Sequence, residues 1–227
     1  MIWRIAGVVL RPRTTLVELV TRPAWVAPWL FILITWALLG GWLLSTDLGQ
    51  QALIDERVRV IEAFGGSVSD EGYRALQAAP PWWVYFTSGS RLLLTPPITI
   101  LTAAILWLGA RWEGARASVS QALSIVVHAS AVLLLGQLIA TPLHVVRESL
   151  TSPLNLAAVL PFMDEGTFRA RLFGSVDLFA LWWAVLLAIG LSTVTGRRVG
   201  RYTTVVAGGY LGIAGLVAAT IAAFGGS

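Results

Sequence analysis

VAPWLFILITWALLGGWLL, residues 26–44, runs for nineteen residues without a charge. As a helix it spans roughly 28 Å at about 1.5 Å per residue, close to the roughly 30 Å hydrocarbon core of a bilayer. Pro28 falls in its first turns, where a missing N–H costs little. Trp25 and Trp29 mark one membrane interface and Trp42 the other. The rest of the chain agrees: 56% of the 227 residues are apolar, 12% are charged and the mean hydropathy is +0.76. That charged share is about half the soluble norm, which excludes an ordinary soluble globular domain.

Further along the chain, four more apolar stretches follow, at about 92–109, 119–141, 173–195 and 202–224. Together they predict an all-α, polytopic membrane helix bundle with about five transmembrane helices and short interfacial or extramembrane helices. Residues 26–227 form its single membrane domain. Residues 1–25 are expected as helices in the membrane plane, because Trp3, Ile5, Val8 and Leu10 stand beside Arg4, Arg11 and Arg13. The start is too short and amphipathic for a convincing signal peptide. Residues 47–90 are the one sizeable polar region and are expected to cap the bundle with two helices. Residues 142–171 form a second connection on the same side. Pro96 and Pro97 fall inside the second stretch, so a kink, or an interfacial helix turning inward, is expected there. In the third stretch Ser120, Ser124 and His128 share one helical face, and Ser130, Gln137 and Thr141 nearly the opposite one. Neither face suits lipid, which predicts a central helix.

All sixteen basic residues are Arg. Nine lie in the N-terminal segment, the turn at 109–118 and the turn at 196–201; seven lie on the opposite side, with ten of the twelve carboxylates. The compact, nearly acid-free side is expected to face the cytoplasm, with the N-terminus inside and the C-terminus outside. A net charge of +4 raises the question of nucleic acid, but no basic patch with stacking aromatics is present, so none is expected as a partner.

Signatures of catalysis are missing from the sequence. His128 and His144 stand sixteen apart with no Cys to join them, and no HExxH, phosphate loop or Gly-x-Ser-x-Gly elbow occurs. No enzyme activity, metal or cofactor is expected. His128 reads either as a proton-relay or ligand group, or as a neutral imidazole bonding to a neighbouring helix. Gln137 reads the same two ways. Asp177 is expected to pair with Arg91, Arg147 or Arg171, or to stand at a helix start, with Glu148 in the same polar network. Arg11, Arg13, Arg22, Arg197, Arg198 and Arg201 are expected to meet anionic headgroups. Gly208, Gly212 and Gly215 recur on one face and predict close helix packing.

The order of features resembles the Yip domain family of five-span membrane proteins, the Ypt-interacting-protein type. RPRTTLVELVTRPAWVAPW, SQALSIVVHASAVLLLGQLIATPL and above all DLFALWWAVLLAIGLS, Asp177 to Ser192, carry the resemblance over nearly the whole chain. It implies a cytoplasmic N-terminus and five spans. Eukaryotic members act in vesicle trafficking and touch small GTPases through a long N-terminal region. Here about 25 residues precede the first span, so that role is not expected. The short, Lys-free sequence reads as prokaryotic, placing it in a cytoplasmic (inner) membrane. Some bacterial relatives are accessory components beside ABC-type efflux systems. The expectation is a non-enzymatic accessory or scaffold protein that binds lipids and a protein partner in the membrane or periplasm, or a second copy of itself. The alternative is a small transporter, channel or lipid-handling protein.

Overall fold

The computed structural model describes residues 2–78, 82–147, 153–159 and 168–224. The fold is all-α, and five of its apolar helical stretches are long enough to cross a membrane: Val26–Leu44, Leu92–Trp112, Val119–Arg147, Leu178–Thr195 and Val199–Ala223. The third is 61% buried, against 11–33% for the others. On its polar faces Ser124, His128 and Thr141 are buried and Ser120, Ser130 and Gln137 partly so, and most of the other four is left for lipid. The chain divides into two compact units.

The first unit comprises Met1–Trp36, Arg91–Leu135 and Phe179–Tyr210. It opens with α1 (Ile2–Leu10) and α2 (Pro12–Thr21). Pro12 begins α2 where no N–H is needed. The hairpin closes tightly, because a Cβ on Gly7 would stand 2.6 Å from Thr15 Oγ1. Arg4 Nη2 and Nε donate to Glu18 Oε1 at 2.7 and 3.0 Å, tying the two helices. The hairpin packs on α7 (Val119–Ala129) rather than lying loose. Val8, Leu16 and Leu19 are fully buried, whereas Ile2, Trp3 and Leu10 form an exposed apolar edge. Around α7 the core gathers Ala103, Leu106 and Ala110 with Leu186, Leu187, Ala188 and Leu191.

The second unit comprises Ala37–Ser90, Gly136–Leu178 and Leu211–Ser227. The first apolar helix, α3 (Val26–Leu44), is followed by α4 (Asp47–Ala63) and α5 (Asp70–Gln77), the two helices expected in the polar region. Thr46 caps α4 by accepting from the Gly49 amide at 3.0 Å, and Ser69 caps α5 by accepting from Gly72 at 3.2 Å. Tyr73 joins them: its hydroxyl donates to Asp55 Oδ1 at 2.7 Å and accepts from Gln51 Nε2. The hydrogen bond to the Asp55 carboxylate, which only the protonated phenol can donate, holds the Tyr73 pKa above its ordinary 10.0.

Three boundaries differ from the sequence reading. First, α6 (Trp82–Trp112) extends beyond the expected 92–109 at both ends, with Pro96 and Pro97 inside it. Second, α8 (Ala131–Arg147) runs through Pro142, where the connection was expected to begin. In an apolar solvent, unwinding would strip several backbone groups of partners, whereas an internal proline removes one donor. Third, Phe173 belongs to α10 (Phe168–Gly174), which follows α9 (Leu156–Val159), and the fourth apolar helix, α11, starts at Leu178. The break is held by backbone pairing: Leu156 N donates to Val176 O at 2.8 Å, and Leu178 N donates to Leu154 O at 3.1 Å. The last helix, α12, is Val199–Phe224.

Candidate functional site

The start of α7 is fixed by a reciprocal cap. Ser118 Oγ accepts from the Gln121 amide at 3.2 Å, and Gln121 Oε1 accepts from the Ser118 amide at 2.9 Å. Gln121 Nε2 also donates to Val20 O at 2.8 Å, fastening α7 to the end of α2. One and two turns further on, Ser124 and His128 are both 0% exposed. His128 Nδ1 lies 2.8 Å from the Ser124 carbonyl, so the proton sits on Nδ1 and is donated to that oxygen. The imidazole therefore bonds within its own helix through Nδ1. His128 Nε2 and Ser124 Oγ have no hydrogen-bond partner among the described residues. No group of three His, Cys, Asp or Glu that could hold a metal occurs among those residues either.

Of the residues read as one polar network, Gln137 bonds along its own helix. Gln137 Nε2 donates to Thr141 Oγ1 at 3.1 Å, and that hydroxyl donates back to Gln137 O at 2.7 Å. This one-turn pair keeps both side chains satisfied just before Pro142. Arg147 is the exposed last residue of α8. Asp177 pairs through its backbone with Asn155 and immediately precedes α11, the helix-start position. Asn155 carries no motif that singles it out in sequence. Its side chain accepts from the Ala158 amide at 2.7 Å and so caps α9 while its backbone holds Asp177. Arg91 lies within α6, and Glu148 falls outside the described residues.

Gly208, Gly212 and Gly215 make no close helix contact among the described residues. Among the described residues a Cβ on Gly208 or Gly212 would meet nothing within 4 Å, and one on Gly215 only Leu172 Cδ1 at 3.9 Å. On α12 the buried residues are Tyr202, Ala214 and Ala218. Close approach occurs instead at Gly190 on α11, where a Cβ would run into Ile125 Cγ2 of α7.

The six arginines separate by role. Arg201 Nη2 pairs with Glu113 Oε1 at 2.8 Å, joining the end of α6 to the start of α12. Arg11 is the N-cap of α2, and its carbonyl accepts from the Thr14 and Thr15 hydroxyls at 3.0 Å each. The Arg22 carbonyl accepts from Arg4 Nη1 at 3.3 Å. Arg13, Arg197 and Arg198 come together around a cleft of about 480 Å³ whose lining also includes Val17, Ile189, Ser192 and Gly200. The turn that presents Arg197 and Arg198 is built by its sequence. Gly196, at φ +68°, stops α11 in the left-handed region open to glycine, and its amide donates to Ser192 O at 2.9 Å. Ser192 Oγ then donates to Arg197 O at 2.6 Å, holding the next residue in place.

In comparisons with known proteins, the Yip1 domain model matches residues 6–222. No curated protein and no solved structure matches the chain.

Proposed function

The chain belongs to the Yip1 domain family, whose members are membrane scaffold and accessory proteins rather than enzymes, and from that premise we propose that it binds and modulates a larger membrane complex. The observation that carries the reading is the far end of α4. Gly49, Ala52 and Leu53 bury the first half of that helix, whereas Val60, Ile61 and Phe64 are 47%, 42% and 54% exposed. Val60 and Ile61 stand in the last turn and Phe64, the C-cap, follows four residues after Val60, so the three cluster at the helix end. The helix is polar overall and lies outside the five apolar stretches. A clustered apolar patch on such a helix is surface that a protein partner would remove from water.

The proposed partner is a membrane protein complex, and the finer proposal, an ABC-type exporter, rests on the family resemblance alone. The same reading places the chain in a prokaryotic cytoplasmic membrane. The acid-poor arginine clusters support a cytoplasmic N-terminus, with the α4 patch and the C-terminus outside. The test is purification of the tagged chain from its native membrane in mild detergent. Wild type should retain a stoichiometric membrane partner, and Val60→Ser/Phe64→Ser should lose it while keeping folded yield and monodispersity. A wild-type chain recovered alone or only with copies of itself, or equal retention by the variant, overturns the reading. The second reading, a lipid-handling protein, is favoured by one observation, the basic cleft.

A further inference from the structure

We propose that the cleft among Arg13, Arg197 and Arg198 is a discrete site for the phosphate headgroup of an anionic lipid. The inference does not rest on the accessory role. Charge is the first argument. Among the described residues Arg4 and Arg201 are each matched by a carboxylate, Glu18 and Glu113, whereas Arg13, Arg197 and Arg198 form no ion pair and no acid lines the cleft. Three uncompensated guanidiniums around one cavity repel one another, and an anion that accepts paired N–H donors relieves that repulsion.

The backbone adds to the charge. Val199 and Gly200 line the same cleft and open α12, a helix of 26 residues whose first-turn N–H groups have no intrahelical acceptor. A phosphate seated there meets both the guanidiniums and the positive end of a long helix. The arrangement is held in advance of any ligand. Ser192 fixes Arg197 through its carbonyl, and Arg13 stands on α2, which is tied to α1 by Arg4–Glu18 and to α7 by Gln121. A prearranged site loses less ordering entropy on binding.

Depth selects the source of the phosphate. The spans Leu178–Thr195 and Val199–Ala223 meet at this turn, so the cleft lies at the edge of the hydrocarbon layer, where lipid phosphates reside. Val17, 52% exposed, and Ile189 supply an apolar wall beside the cations. That pairing of cation and apolar wall suits a headgroup with its glycerol and upper acyl carbons, and gives a free phosphate ion nothing to match. At about 480 Å³ the cleft falls within the roughly 300–1,000 Å³ typical of small-ligand sites.

The experiment compares phosphatidylglycerol, phosphatidylcholine and inorganic phosphate added to the purified full chain in detergent. Retention is read by native mass spectrometry and protection by the unfolding midpoint. Wild type should retain phosphatidylglycerol over phosphatidylcholine. Arg13→Gln/Arg198→Gln should cut retention about tenfold or more, the effect of losing charge-assisted hydrogen bonds. Arg111→Gln/Arg116→Gln removes the same formal charge outside the cleft, from exposed positions in the 109–118 turn, and should leave retention intact. Should the cleft double variant fail to fold, Arg198→Gln alone, exposed at the cleft, carries the same comparison. Equal loss in both doubles reduces the effect to net surface charge and overturns the proposal. Equal retention of phosphatidylcholine, or equal protection by inorganic phosphate, overturns the assignment to an anionic lipid.

Discussion

Replacing Gly190 by Ala tests the helix contact on which the first unit is built. The new methyl would fall inside van der Waals contact with Ile125 Cγ2, with Ile125 Cβ and Cγ1 each 3.3 Å away. Ile125 is 0% exposed and is packed with Leu186, Leu187 and Leu191, so it has no free direction in which to swing. The helices must separate instead, and overpacking of this kind costs about 1–3 kcal/mol. Alanine recovers about 1 kcal/mol over glycine in a helix interior, leaving a net loss of up to about 2 kcal/mol. Ile125→Ala alone should cost about 2–5 kcal/mol through the cavity it leaves. Combined, the new methyl occupies part of that cavity, so the double variant should be more stable than the sum of the singles by about 1 kcal/mol or more. Gly212→Ala is the control: its Cβ enters open space inside α12, so only the helix gain remains and the variant should be about 1 kcal/mol more stable than wild type. Equilibrium unfolding in mixed micelles of mild detergent and dodecyl sulfate, followed by tryptophan fluorescence, measures all four variants. Gly190→Ala as stable as Gly212→Ala, or strict additivity in the double variant, would refute the reasoning.

At the turn between the last two spans, Gly196→Ala should cost about 1–2 kcal/mol by the same assay, since φ +68° is unfavourable for any residue with a Cβ. Tyr73 provides a pH test. Its pKa is raised above 10.0 in the folded chain, so the Asp55 bond contributes fully below pH 10 and is lost as pH climbs past the raised value. The difference in unfolding midpoint between wild type and Tyr73→Phe should be level below pH 10 and shrink above it; a difference that changes between pH 6 and 9 would contradict the assignment. For orientation, single cysteines at Arg116 and Ser67 should label from opposite sides of sealed vesicles, with Arg116 on the cytoplasmic side. Labelling of both from one side would remove the proposed topology.

How much of this was legible in the sequence depended on what each residue needs from others. The five apolar stretches needed nothing but length, because lipid demands the same run of side chains wherever the helix ends up. Ser124 and His128 were legible as buried because two polar groups four apart on a long apolar helix have no tolerable place against lipid. Their bonding was not: His128 donates to the carbonyl of Ser124 on its own helix. The arginines were legible as a group at the span ends, but their separation into paired and unpaired members was not. Glu113 lies 88 residues from Arg201, and nothing local to Arg197 or Arg198 announces Arg13 across the cleft. Glycine was the least readable. The spacing of Gly208, Gly212 and Gly215 is that of a packing face, yet a missing side chain promotes close approach only where another helix arrives. The helix that arrives does so at Gly190, an isolated glycine with no periodic signal. Pro142 misled in the opposite direction: it reads as a helix end, but in lipid a helix end exposes more unpaired backbone than an internal proline does. The solvent therefore decides what each residue signals. In a bilayer a charge fixes depth and a proline is weak punctuation, while a glycine has no meaning until its neighbour is known.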